Sequence, residues 1–427
     1  MSKRILHTLL LLACSASAAA LEVVPSGFGT VGYAQSNRPY AFERFIDEGG
    51  TLDRDSVFGL QLDARLGMQW SATLQLKAAP SLKSDSRWDV RPAWAFVGWR
   101  PSDDWLLRAG RMRAPLYMYS ESMDVGVTHD MVRLPTEMYS IAPSTDFDGA
   151  SVGKTWARGD NEYALDAYAG RFNTSARLWF RDGAPPVVPA GAQFFDVEVR
   201  SAGLVFSLRQ PGTLWRAGWH HTTTRQISGA TIPVDYAFVP VAPGLGYYQV
   251  DPSLPGPGVN AVASIRNDIF TFGLEHQFGQ GWRVAAEYAR NVQHDTQLGS
   301  DTRGGYVAVF KELGRATPYV SVGALRSSTR QLDWFDNLTM HPLPDVIPGA
   351  AQINAAQRLA AESFYATDQR SLALGSSFSI DPQQKVKVEW KRTHIGRVSR
   401  LVDTPAGSDE VHDTHIDVWS VNYNFAF

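Results

Sequence analysis

Ten-residue stretches that alternate apolar with small or polar side chains recur along most of this chain. In one of them Trp70, Ala72, Leu74, Leu76 and Ala78 point one way, and Gln69, Ser71, Thr73, Gln75 and Lys77 point the other. Phe58, Leu60, Leu62 and Ala64 oppose Gly59, Gln61, Asp63 and Arg65 in the same manner. Trp282, Val284, Ala286 and Tyr288 oppose Arg283, Ala285, Glu287 and Ala289, and Val386, Val388 and Trp390 oppose Lys385, Lys387, Glu389 and Lys391. A period of two belongs to a β-strand whose two faces meet different surroundings. Strong helical periodicity is scarce, so an all-β fold is expected. A soluble sandwich alternates as well, and alternation alone does not choose between sandwich and membrane barrel.

Three further features favour the barrel. Many alternating runs reach ten residues, against about five or six in globular sheets, and a membrane-crossing strand needs about 9–11. Aromatics gather at or near the strand ends, at Trp70, Trp99, Trp105, Trp156, Trp215, Trp282 and Trp390, as girdles at two lipid interfaces require. Connections alternate between short and long. The pattern predicts strands at 22–35, 54–65, 68–79, 90–100, 103–113, 147–157, 161–171, 196–208, 213–223, 264–277, 281–292, 304–313, 316–326, 367–380, 384–395 and 414–427. Fourteen or eighteen strands, roughly, are the neighbouring solutions. An even count puts both termini at the short-turn rim, and closure leaves no unpaired edge in lipid. The competing architecture is a surface-attached array of soluble β-sandwiches.

The first twenty residues are expected to be a cleaved export signal. Lys3 and Arg4 precede the mostly apolar Ile5–Ala13, and Ala18-Ala19-Ala20 fits signal peptidase. Cleavage is placed before Leu21, with Ala19 as the second choice; Cys14 after Leu11-Leu12-Ala13 is a weak lipoprotein-like box. Cleavage removes the one cysteine, so the exported chain must be stabilised by packing or by a membrane and not by disulfides. Residues 21–427 then form one barrel domain. With 40 Lys+Arg against 43 Asp+Glu, the balance speaks against a nucleic-acid-binding chain. No apolar run beyond the signal is long enough for a transmembrane helix.

The polar parity predicts what lines the interior. Its bases are Arg65, Lys77, Arg108, Arg216, Arg283, Lys311, Lys385, Lys387 and Lys391, and its acids Asp63, Glu162, Asp166, Glu275, Glu287 and Glu389. A basic side chain facing lipid at the midplane costs about 2–4 kcal/mol. The same side chain facing a water-filled lumen is solvated. Outside the strands, the Pro/Gly-rich stretches 182–191 and 233–260 suit a cap over the mouth or packing between copies, and Ala350–Ala361 is a helix candidate within a long loop.

Catalytic readings are thin. The sequence has no H-E-x-x-H motif. Its G-x-S-x-G match, Gly149–Gly153, lies inside a strand with no strand-to-helix turn to expose Ser151. His129-Asp130 and His220-His221 fall at loop or rim positions, and His412, His415 and Asp417 form no convincing metal set. No catalytic residue, cofactor or metal is expected.

The last strand ends Val421-Asn422-Tyr423-Asn424-Phe425-Ala426-Phe427, with Asp417 upstream on the lipid parity, above the hydrocarbon or beside a bulge. Together with the opening Gly27-Phe28-Gly29 and Gly32-Tyr33, and with Ala109-Gly110-Arg111 before a long third loop, the sixteen-strand meander resembles the Gram-negative outer-membrane porins of the general trimeric type. The resemblance implies a multi-pass outer-membrane protein in contact with lipopolysaccharide, and a homotrimer. It implies a water-filled pore narrowed by an inward-folded third loop. It also implies a terminal aromatic, here Phe427, read by the barrel-insertion machinery. Carried onto this chain, the constriction loop is Pro115–Pro143, with Glu121, Asp124, Asp130 and Glu137 as its acids and Arg133 as the exception. The facing wall is Arg65, Lys77, Arg91 and Arg108, with Arg111 or Arg113 as alternatives; Arg216, Arg283, Lys385, Lys387 and Lys391 come from the parity alone. The short Pro-Glu-Phe-Gly-Gly sequence common in enterobacterial third loops is absent. The expected activity is passive diffusion of small hydrophilic solutes and ions. A substrate-specific channel for sugars or small organic acids and a non-conducting structural or adhesive barrel are the alternatives.

Overall fold

The computed structural model describes residues 22–142, 146–184 and 188–427. The expected export signal, residue 143 at the end of the third loop and part of the Pro-rich 182–191 stretch lie outside the described residues. Sixteen antiparallel strands, each hydrogen-bonded to its sequence neighbours, close on themselves where the first pairs with the last. They are β1 Glu22–Ser36, β2 Val57–Arg65, β3 Trp70–Pro80, β4 Trp88–Ser102, β5 Trp105–Arg113, β6 Asp146–Arg158, β7 Asn161–Phe180 and β8 Gly191–Gln210. The second half comprises β9 Thr213–Gln226, β10 Ile265–Gln277, β11 Trp282–Gln293, β12 Thr302–Lys311, β13 Ala316–Ser327, β14 Thr367–Asp381, β15 Gln384–Ser399 and β16 Thr414–Ala426.

The apolar parity faces outward around the whole wall. Leu60, Leu62, Leu74, Val97, Leu204, Phe270, Val322, Leu374 and Val421 are all exposed, Leu60 by 62%. A continuous belt of this kind far exceeds the few hundred Å² of apolar patch that a soluble monomer tolerates. The belt and the closed wall together define a transmembrane barrel. Stacked pairs such as Trp70–Trp99 and Trp156–Tyr163, with ring centroids 5.8 and 5.6 Å apart, mark the short-turn rim. The turns there are tight: Gly159 and Gly212 hold φ of +60° and +73°, a region that other residues enter at a cost.

The structure departs from the sequence expectation at the long-loop rim. β7 and β8 run for 20 residues each, well past the expected ends at 171 and 196. Polar Asn173, Thr174 and Ser175 blur the alternation there, because a hairpin standing above the membrane has no lipid to face. The helix candidate is present as Ala350–Glu362, and a second helix, Thr329–Thr339, precedes it. Its signal was readable: Ser328 caps it by accepting from the Gln331 N–H, and Leu332, Phe335 and Leu338 face inward at helical spacing. Asp417 sits in an unbroken register, ion-paired to Arg392 at 2.8 Å and accepting from the Trp390 indole, which satisfies it at the rim without a bulge. Lys311 leaves the predicted lumen set: it lies over the Trp282 ring at the short-turn rim, on the parity opposite the buried Ala308 and Phe310.

The long loops pack into a cap. Tyr236, Leu298, Leu332, Phe335, Leu338, Phe364 and Val398 form one apolar cluster, drawn from three separate connections and the top of β15. Inside the barrel a larger cluster joins Met112, Leu116, Tyr117, Met131, Leu134, Met138 and Ile141 to wall residues including Phe147, Tyr168, Tyr306, Phe310 and Tyr319.

Candidate functional site: the third loop against the inner wall

The connection after β5 enters the barrel and runs round its interior. It leaves Arg113, whose guanidinium bonds Asp146 and Asp124. It then reaches β11, where the Met118 N–H and the Tyr139 hydroxyl donate to Glu287 at 2.7 and 2.6 Å. Tyr306 donates to the same carboxylate at 3.0 Å, and Tyr119 donates to Glu275. Next to the short helical turn Gly126–Thr128 it touches β1 and β16; a Cβ on Gly126 would lie 1.9 Å from the Asn424 Oδ1 and 2.8 Å from the Thr30 Oγ1, so a larger residue would have to displace that hydrogen-bonded pair. Val132 then bonds the Tyr319 hydroxyl, which itself donates to Glu389 at 2.7 Å. The α-helical turn Thr136–Tyr139 rests on β12 and β13. Gly304 of β12 has the Glu137 carbonyl 2.1 Å from where a Cβ would stand, which explains a side-chain-free patch on that wall.

Charge pairs join the loop to the wall. Lys77 holds Asp124 at 2.7 Å. Arg283, Lys385 and the Ser377 hydroxyl converge on Asp130. Arg133 makes two 2.7 Å bonds to Asp55 and approaches Glu43 at 3.4 Å. Lys391 bridges Glu43 at 3.0 Å and Glu137 at 3.2 Å, and Gln369 donates to Glu137. Lys387, fully buried, reaches the Met131 carbonyl and His129 Nδ1 and, among the described residues, no carboxylate. Buried pairs of this kind are costly to break, at about 3–5 kcal/mol for removing one partner. They tie the loop at several points round the circumference.

One group of charges is less tightly closed, and its Arg108–Glu121 pair stays wet. Arg108 meets Glu121 at 3.4 Å, with side chains 33% and 61% exposed. Arg216 bonds the Pro115 carbonyl at 2.9 Å, and Asp166 lies within the electrostatic reach of Arg216, Glu121 and Arg108. These two acids and two bases come from β5, β7, β9 and the loop.

Of the residues singled out from sequence, Glu121, Asp124, Asp130, Arg133 and Glu137 all contact the inner wall or the inward side of the first loop. Lys77, Arg108, Arg216, Arg283, Lys385, Lys387 and Lys391 touch the third loop, and Arg91 lies near Asp124 and Asp146 with its own bond to the Pro80 carbonyl. Arg65 stands apart, 73% exposed and paired with Glu22 at the short-turn rim. Sequence reasoning missed Glu43 and Asp55, which belong to the first loop and its exit. No local pattern marks them, because Arg133 and Lys391, which they meet, lie far along the chain in the third loop and in β15.

No family model and no curated protein matches this sequence. Solved structures do match in fold. OprB of Pseudomonas putida aligns with a TM-score of 0.50 and 10% identity, over 99% of this chain and 96% of that one. OmpF of Salmonella typhi, in its complex with daunomycin, aligns with the same score and identity over 95% of this chain and 97% of that one. The chain is therefore a closed sixteen-strand transmembrane barrel with the fold of the Gram-negative outer-membrane porins.

Proposed function

We propose that the protein is an outer-membrane channel for passive diffusion of small hydrophilic solutes and ions, with residues 115–142 forming its constriction. The observation that carries this reading is the third loop itself. It is held inside a closed barrel while Arg108 and Glu121 keep their water beside the half-buried Asp166 and Arg216. Most other wall bases are neutralised by loop acids, so these four groups dominate the field felt by a passing solute. Residues 1–20 act as the cleaved export signal, Phe427 as the insertion signal and three copies as the assembled unit. Reconstitution in planar bilayers tests the reading: a trimer of open pores gives three equal conductance steps. Deleting residues 116–141 should raise the single-channel conductance; unchanged conductance would remove the loop from the constriction, and no conductance at all would favour a structural or adhesive barrel.

A substrate-specific channel is the second reading, and the cap favours it. A cavity of about 930 Å³ lies among the outer loops, lined by Phe335, Leu338 and His341 together with Arg358, Arg397 and Glu410. Saturable block of the current by one solute class would select this reading over general diffusion.

A further inference from the structure

The outward face of the barrel carries charges that the pore does not use. Arg290 of β11 is the register partner of Arg303 on β12, and Arg303 is the partner of Arg326 on β13. All three share the parity of Tyr288, Val307 and Val322, which face lipid. Arg370 of β14 pairs with Ala324, one outward position from Arg326, and so lies diagonally beside the row. Like charges directly across a sheet destabilise it. Two acids answer part of the charge, Asp301 on Arg290 and Asp368 on Arg326. Arg303 and Arg370 are exposed and, among the described residues, have no acid partner. The row therefore holds a local surplus of positive charge that calls for an anion from outside the chain.

Its height says which anion. From Trp282 at the short-turn rim to Arg290 is eight residues, about 27 Å along a strand. With strands tilted by about 35–45°, that rises about 19–22 Å, so a long arginine side chain reaching upward brings its guanidinium to the far edge of an apolar band roughly 25 Å tall. Adjacent strands stand about 4.8 Å apart, so the guanidinium groups offer a short line of planar forks matched to phosphate oxygens. We propose that Arg290, Arg303, Arg326 and Arg370 form a binding site for the phosphorylated headgroup of an outer-leaflet glycolipid. The site holds whether or not the pore conducts.

Native mass spectrometry of the full chain in neutral detergent tests this, with a diphosphorylated glucosamine lipid and its dephosphorylated form as probes. The diphosphorylated lipid should bind, and the R303Q/R370Q variant should bind it at least about tenfold more weakly, a loss of about 1.4 kcal/mol. R392Q, which alters an outward arginine already paired with Asp417, should bind as the unaltered chain does. Should the double variant fail to fold, Arg303→Lys replaces it; that change keeps the charge, removes the fork and should still weaken binding. Equal binding of the two lipids, or undiminished binding by both variants, would overturn the proposal. Displacement of the lipid by millimolar inorganic phosphate would assign the row to free anions instead. Dissociation of the assembly in R303Q/R370Q would assign it to an acidic protein partner.

Discussion

Burial separates two kinds of loop carboxylate. Glu121 keeps most of its side chain in water, whereas Glu137 is fully buried between Lys391 and Gln369. Exposed pairs contribute about 0–1 kcal/mol. Glu121→Gln should therefore leave thermal stability in detergent unchanged while shifting the reversal potential in a salt gradient towards anions. Glu137→Gln leaves the buried Lys391 with Glu43 as its one carboxylate and should destabilise the barrel by about 1.5–3 kcal/mol, seen as an earlier heat-induced mobility change on a gel. Phe427 supplies a different contrast. Its ring lies on Gly27, where a Cβ would stand 2.4 Å from the ring, and its backbone exchanges two 2.9 Å bonds with Gly27 across the closing seam. Phe427→Ala keeps the backbone bonds and uncovers the glycine. It should lower the yield of inserted barrel with the exported amount unchanged; normal assembly in pulse-chase fractionation would count against an insertion role.

Among the elements, the strands were the most legible. Gln69–Ala78 alternates cleanly because lipid touches one face and water the other, and it became β3. The 20-residue β7–β8 hairpin was half-read, since the period-two signal ends where the membrane ends. Helix Ala350–Glu362 was readable from its run of alanines, but its role in the cap was not. It buries Glu362, whose carboxylate accepts from the Arg181 N–H at 3.1 Å. Burial pushes Glu362 up to about 7 from its ordinary 4.5, against the pull of Arg400 and Arg181. Burial raises the neighbouring Glu410 as well. The folded cap thus binds a proton more tightly than the unfolded loop, and its stability should fall as pH rises through that window, from about 4.5 to about 7. Hydrogen exchange of the helix amides, corrected for intrinsic rate, should show more opening at pH 8 than at pH 5. Glu362→Gln should flatten that dependence.

For the molecule as a whole, the aromatic girdles make a depth prediction. Trp70, Trp99, Trp105, Trp156, Trp215 and Trp282 gather at one rim and face outward. Lipids brominated close to the headgroup should quench the tryptophan emission of reconstituted protein more than lipids brominated near the chain ends; the reverse order would contradict the girdle. The chain by itself determined this much: strand periodicity, the alternation of short and long connections, the apolar and polar parities, and many of the charges on the inner wall, though not that Lys311 and Arg65 stand at the short-turn rim. All are local patterns, imposed by two solvents on successive side chains. Only closure of the barrel decided which charges meet. Asp124 finds Lys77, Asp130 finds Lys385, and Glu43 joins Arg133 to Lys391. Those partners lie up to hundreds of residues apart in the chain, and their selection is set by the curvature of the wall and the path of the loop within it, neither of which a period of two records.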